Sequence, residues 1–242
     1  MTTFLDDYFR SDADGVRVSP EQGSRFAKEI AGDFNPIHDA DSSRFCVPGD
    51  LLFALVLRFY GISRWMRLRF EAMVGAEDQL LFPEAPEDAI TVATGSGGTA
   101  VAVARAGEIC HDPQLVEALI RRYAGFSGRN FPEFLLPLMR HHGVMFNPDR
   151  PLVIYDGMEF EFDLLDPAGL DVILDDAALE VKGRRAEERL SFRMVRGDEQ
   201  IGSGTKSVVL AGLKPYDAER MEAFVEDYVT RRQRYEEAMA GR

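Results

Sequence analysis

The chain has 242 residues, of which 45% are hydrophobic and 29% charged, an ordinary globular balance that excludes intrinsic disorder. Its formal net charge of -13 excludes the lysine- and arginine-rich surface that a duplex-binding protein needs, so no nucleic-acid partner is expected. Two cysteines, Cys46 and Cys110, make neither a disulfide scaffold nor a four-ligand zinc site. The acidic start, with Asp6 and Asp7 and no basic stretch, does not read as a signal peptide. The longest apolar run, residues 51–57, is too short to span a bilayer. The expectation is a soluble cytoplasmic protein with two reduced thiols and no membrane partner.

Ser19-Pro20-Glu21-Gln22 reads as a helix start, with Ser19 as cap, Pro20 at the first helical position and Gln22 closing a capping box. That helix should run to about Ala31, and a loop follows: Gly32-Asp33-Phe34-Asn35-Pro36-Ile37-His38. A second helix is expected from Pro48-Gly49-Asp50 to Tyr60, ended by Gly61. It is apolar on every side and therefore belongs inside, wrapped by other structure. Strands are expected at residues 68–74, 90–94 and 100–104, the last two joined through Gly95-Ser96-Gly97-Gly98.

The order then repeats. A helix opens at Asp112-Pro113, with Leu115, Val116, Leu119 and Ile120 as its apolar face. A glycine-containing loop at residues 126–132 leads to an apolar helix at 134–142, ended by Gly143. Strands follow at 153–155, 158–164, 178–181, 189–195 and 201–210. In residues 189–195, Leu190, Phe192 and Met194 alternate with polar neighbours, which suits a sheet with one buried face. The repeat implies two similar α+β domains, residues 1–111 and 112–215, packed side by side as a pseudo-dimer within one chain, which could itself form a homodimer. Residues 216–242 form a charged helix with a stripe of Met221, Phe224, Val225 and Tyr228, a docking helix or a partner-binding one.

In the first loop, Asp33 and His38 are separated by Asn35 and Pro36, and the proline turns the chain so that acid and imidazole can face one cleft. Such a pair can hold a water molecule and move its proton. Addition of water to a conjugated double bond needs that, together with donors for the developing enolate. Read alone, Asp33 and Asn35 could also be turn and cap residues without chemistry.

Residues 31–38 resemble the signature of the R-specific enoyl-CoA hydratases and MaoC-like dehydratases: a small residue, Gly, Asp, any residue, Asn, Pro, an aliphatic residue and His. Phe26 occupies the upstream aromatic place. The resemblance implies a hot-dog fold, in which an antiparallel sheet wraps a central helix, and here a double hot-dog with two such sheets and two central helices. It implies Asp33 and His38 as the catalytic pair, Asn35 as the residue that fixes the loop, and Gly49 as an oxyanion amide donor. The chain departs from the family in three places: Pro48-Gly49 stands for His-Gly, the segment 39–47 is short, and Leu57 replaces a serine.

In the second loop Arg129 stands where Asp33 does, and Phe134 is the nearest counterpart of His38, so one active site per chain is expected. The implied activity is hydration of 2-enoyl thioesters or dehydration of 3-hydroxyacyl thioesters, carried on coenzyme A or acyl carrier protein, with no cofactor. A non-catalytic acyl-thioester binding protein and a hot-dog thioesterase are the alternatives. Arg64, Arg67 and Arg69 could meet phosphates of the carrier or form a solvated strand edge. His111, His141 and His142 lack the companions of a metal site, and Cys46 has no activating neighbour in sequence.

Overall fold

The computed structural model describes residues 3–84, 87–166 and 168–241, so Met1 and Thr2 of the acidic start and Arg242 of the tail lie outside the described residues. Two short strands, β1 (Arg10–Asp12) and β2 (Gly15–Arg17), precede helix α1 (Pro20–Phe26). Ser19 caps α1 by accepting from the Gln22 amide, and Gln22 reaches back to the Ser19 amide. The helix does not continue regularly to Ala31: residues Ala27–Ala31 widen into a π turn, closed by Gly32 at φ 68°. Only glycine takes that left-handed geometry without strain.

Helix α2 (Gly49–Tyr60) is enclosed over its apolar run, with Leu51, Leu52, Phe53, Ala54, Leu55, Val56 and Leu57 all buried, while Phe59 near its end is exposed. Each large apolar side chain so removed from water contributes about 2 kcal/mol. Strand β3 (Ile62–Phe70) follows directly after Gly61, earlier than the expected 68–74, because the glycine reverses the chain at once. Then come β4 (Leu80–Leu81), β5 (Ala89–Thr94) and β6 (Thr99–Cys110).

Helix α3 (Pro113–Gly128) is longer than its sequence pattern suggested, and the expected loop at 126–132 is instead its last turn and the start of a π turn, Phe131–Leu135. Helix α4 (Leu136–His141) is correspondingly short. Strands β7 (Val144–Met145), β8 (Val153–Phe162), β9 (Leu170–Lys182), β10 (Arg185–Arg196), β11 (Glu199–Ala211) and β12 (Lys214–Pro215) complete the sheets, and α5 (Ala218–Ala240) ends the described chain.

The main sheet runs in the order β1-β2-β4-β5-β6-β3-β8-β11-β10-β9, and its neighbouring strands are antiparallel. The strands of the two halves are joined edge to edge. β3 of the first half pairs with β8 of the second, Trp65 opposite Glu161 through Arg69 opposite Gly157, so the halves share one continuous sheet. Joining the halves in this way leaves neither inner edge with unpaired backbone groups. β7 and β12 form a small second sheet. Along β10, Ala186, Glu188, Leu190, Phe192 and Met194 all face inward. The core packs α2 and α3 on one another and on the sheet, with Phe53 and Phe192 both against the Tyr123 ring.

Candidate active site

Two side-chain-to-backbone bonds build the motif loop. Asp33 Oδ1 accepts from the Asn35 amide at 2.9 Å, and Asn35 Oδ1 accepts from the Ile37 amide at 3.2 Å. Asn35 is thus the cap of a short 3-10 turn, Pro36–His38, opened by the proline. With Oδ1 occupied, Asp33 turns its Oδ2 toward His38, 3.7 Å from Nε2. That gap is too long for a direct hydrogen bond. The other ring nitrogen, Nδ1, lies 2.7 Å from the carbonyl oxygen of Cys46. A carbonyl only accepts, so Nδ1 carries a proton, and in that tautomer of the uncharged ring Nε2 is bare toward the carboxylate.

Asp33, Asn35, His38 and Gly49 all line a cleft of about 350 Å³ between the halves of the chain. Gly49 is the first residue of α2, and its amide lacks an intrahelical acceptor by helix geometry. A Cβ on Gly49 would lie 2.6 Å from the Tyr155 ring, so the close approach of β8 requires glycine there. The opposite wall is apolar, with Phe131, Leu135, Phe146, Val208 and Phe224 among its residues.

The floor of the cleft is polar, and the motif reading did not anticipate it. Asp50, next to Gly49, is buried and accepts a hydrogen bond from Ser127 Oγ at 2.8 Å. Lys206 of β11, also buried, donates to the same Ser127 hydroxyl and stands over the Tyr155 ring. Asn130 donates to the fully buried Glu188 at 2.7 Å. Burial pushes the Glu188 carboxyl up to about 7, against the lowering effects of Asn130 and Lys206. Burial likewise raises Asp50, opposed by Lys206 and Ser127. A signal for two of these residues was present in the sequence: Glu188 falls in phase with Leu190, Phe192 and Met194, and Lys206 with Val208 and Leu210.

Helix α5 closes the motif loop from outside. The Tyr228 hydroxyl accepts from the Phe34 amide at 3.1 Å, and its ring packs edge-on against Phe34. Arg231 and Lys28 both hold Asp39, at 2.7 and 2.8 Å. Burial and the neighbouring Asp33 carboxylate raise the Tyr228 phenol well above its usual range, so it stays protonated.

The three arginines do not join this site. Arg64, Arg67 and Arg69 are exposed on β3, an interior strand of the sheet, and do not line the cleft. Arg67 pairs with Glu159 at 2.7 Å, and Arg64 donates to the Asp163 carbonyl. In the second half Arg129 pairs with Glu133. His111, His141 and His142 are exposed, and among the described residues no group of three or more His, Cys, Asp or Glu is placed to hold a metal ion. Burial pushes the Cys46 thiol up to about 11, which keeps it from being a thiolate near neutral pH. Among the described residues no helix is long and apolar enough to cross a membrane.

The family model described as "Protein of unknown function (DUF3581)" matches residues 3–219. No curated protein sequence matches the chain. Among solved structures, a candidate thioesterase II from Thermobifida fusca YX is similar at 11% identity and a TM-score of 0.44, over 87% of this chain and 98% of that one. Acyl-CoA thioesterase II TesB2 from Mycobacterium marinum is similar at 10% identity and a TM-score of 0.41, over 89% and 100%. The full-length peroxisomal multifunctional enzyme type 2 from Drosophila melanogaster is similar at 12% identity and a TM-score of 0.40, over 79% of this chain and 47% of that one.

Proposed function

We propose hydration of 2-enoyl thioesters, or the reverse dehydration of 3-hydroxyacyl thioesters, as the activity of this chain, which belongs to the family described as "Protein of unknown function (DUF3581)". The observation that carries the reading is the 3.7 Å gap between Asp33 Oδ2 and His38 Nε2, at the wall of a cleft. A water bridging the two acceptors donates one hydrogen to each. As its oxygen adds to C3 of the enoyl group, Nε2 takes one proton, and the Asp33 carboxylate stabilises the imidazolium that forms. The same proton is then delivered to C2, so the elements of one water are added in full. The Gly49 amide, at the start of α2, donates to the thioester oxygen while enolate charge develops there. Asn35 holds the loop in the conformation that aims both groups.

The architecture that accompanies this reading is a double hot-dog, with residues 1–111 carrying the site, 112–215 as the degenerate half and 216–242 as the closing helix. Supporting it are the enclosed apolar run of α2 and the pairing of β3, the strand after α2, with β8, the first long strand after α4. Arg129 stands in the second half with Glu133 as its partner rather than with a histidine.

The test follows loss of the enoyl-thioester absorbance of crotonyl-CoA with the wild-type chain, Asp33→Asn and His38→Gln. The expected result is turnover by the wild type and a fall of at least a hundredfold in each variant. Equal rates in all three sink the reading. Parallel detection of free coenzyme A thiol distinguishes hydration from thioester hydrolysis, and binding without turnover identifies a non-catalytic acyl-thioester carrier.

A further inference from the structure

The floor of the cleft is not what a hydrocarbon tail would meet. Asp50, Ser127, Asn130 and Lys206 all line it, and all four are buried. They come from three separate parts of the chain: Asp50 from the first turn of α2, Ser127 and Asn130 from the end of α3 and the residues after it, and Lys206 from β11. Ser127 bridges the two charges, donating to Asp50 Oδ2 and accepting from Lys206 Nζ. This satisfies Asp50 Oδ2 and leaves Asp50 Oδ1 without a donor. Among the described residues Asp50 Oδ1, Asn130 Oδ1 and, behind Asn130, Glu188 Oε1 have no hydrogen-bond partner. A buried carboxylate oxygen without a donor is costly, at about 1–3 kcal/mol or more. Asp50 and Asn130 line the cleft, and their unpaired oxygens are what a ligand donor entering it would satisfy.

The charges restrict the donor. An anionic group would face Asp50, and an ammonium would face Lys206. A plain methyl terminus would strip water from Lys206 and Asp50 and return nothing. A neutral hydroxyl fits both: it gives its hydrogen to Asp50 Oδ1 or Asn130 Oδ1 and takes one from Lys206 Nζ. The cluster belongs to the same cleft as the motif loop, since Asp33, His38, Asp50 and Lys206 all line it.

We infer that the substrate's acyl chain carries a hydroxyl group beyond the reacting carbons, seated on Asp50, Asn130 and Lys206. The inference rests on the thioester reading above and narrows it to a class of polar, hydroxylated acyl thioesters.

Calorimetric binding of two matched pairs tests it: 4-hydroxybutyryl-CoA against butyryl-CoA, and 6-hydroxyhexanoyl-CoA against hexanoyl-CoA. The expected result is at least tenfold tighter binding of the hydroxylated member in one pair or both. In the double variant Asp50→Leu, Lys206→Met, which removes the two charges together, the preference for the hydroxylated member of each pair disappears. Equal or weaker binding of both hydroxylated esters to the wild-type chain overturns the inference and leaves the thioester reading standing. Absence of binding by all four esters overturns both. The wild-type comparison needs no variant, so poor folding of the double variant does not blunt the test.

Discussion

Tyr228, near the end of the chain, accepts a hydrogen bond from the backbone amide of Phe34 in the motif loop, 194 positions earlier, at 3.1 Å. The bond is buried, and the same hydroxyl lies beside Asp33. The last helix is therefore part of the wall that fixes the acid–imidazole pair. Tyr228→Phe keeps the ring contacts with Phe34 and Phe131 and removes the hydroxyl, which accepts from the Phe34 amide and donates to the Gly32 carbonyl at 3.5 Å. It should cost about 1–3 kcal/mol by leaving a buried amide unsatisfied, measured by urea unfolding. Enoyl-thioester turnover should fall further than that loss of stability explains, because Asp33 is freed to turn. Unchanged stability and unchanged turnover together would remove α5 from the site.

Two glycines of α3 make a contrasting pair. A Cβ on Gly128 would sit 1.9 Å from the Ala31 carbonyl oxygen, where the helix end meets the π turn before the motif. Both partners there are backbone-bound and cannot give way. Gly128→Ala should cost 3 kcal/mol or more, about the upper end for overpacking. At Gly125 the nearest atom to an added Cβ is the Ile30 carbonyl oxygen at 3.9 Å, so Gly125→Ala should stabilise the helix by up to about 1 kcal/mol. Thermal unfolding of the two variants distinguishes them by the sign of the change in Tm.

Glu188 gives the stability a defined pH dependence. Its carboxyl is pushed up from 4.5 to about 7 in the folded chain. Below the lower value both folded and unfolded chains carry the proton and the group contributes no difference. Between the two values the unfolded chain has lost the proton and the folded chain keeps it, so stability falls as pH rises, by about 3 kcal/mol in total, an order-of-magnitude figure. Asp50 acts in the same direction. Glu188→Gln should flatten the profile and be the more stable protein at pH 8. Urea midpoints at pH 5 and pH 8 check this, and an identical pH profile in the two proteins would refute it.

The legible parts of this molecule were those written in consecutive residues. Ser19 and Gln22 announce the cap of α1, and the run 51–57 announces a helix enclosed on all sides. Residues 32–38 announce a turn because both of its side-chain acceptors, Asp33 and Asn35, lie within the segment. The polar floor was not legible in that way, since Asp50, Ser127 and Lys206 converge only after α2, α3 and β11 have packed. The end of α3 was misread for a related reason: Ser127-Gly128 looks like a loop in isolation, yet Asp50 satisfies the serine and Ala31 accepts the bare glycine. For the arginines of β3 the sequence left a carrier contact and a solvated strand both open, because it does not say which face of a strand a cleft will occupy.

Cys46 holds His38 through its carbonyl and not through its thiol. Cys46→Ala should therefore leave turnover within about twofold of the wild type, since the backbone acceptor is retained. Alkylation of Cys46 by iodoacetamide at pH 7 should be slow, because its thiol is pushed up to about 11. Rapid alkylation at that pH, read by mass spectrometry, would contradict the burial that raises it.

Asn35 offers the sharpest separation of loop geometry from substrate contact. Its Oδ1 accepts from the Ile37 amide at 3.2 Å, and it caps the turn that carries His38. Asn35→Ala removes the cap and should lower stability by about 1 kcal/mol, with turnover falling at least tenfold as the histidine loses its fixed approach to Asp33. Asn35→Asp keeps an oxygen in the same place and is an equally good cap. If Asn35 acts only through the loop, the aspartate variant restores both stability and most of the turnover. If its amide group also touches the thioester, the aspartate variant restores stability alone, and KM for crotonyl-CoA rises. Measuring unfolding and steady-state kinetics on the same two variants distinguishes the two roles.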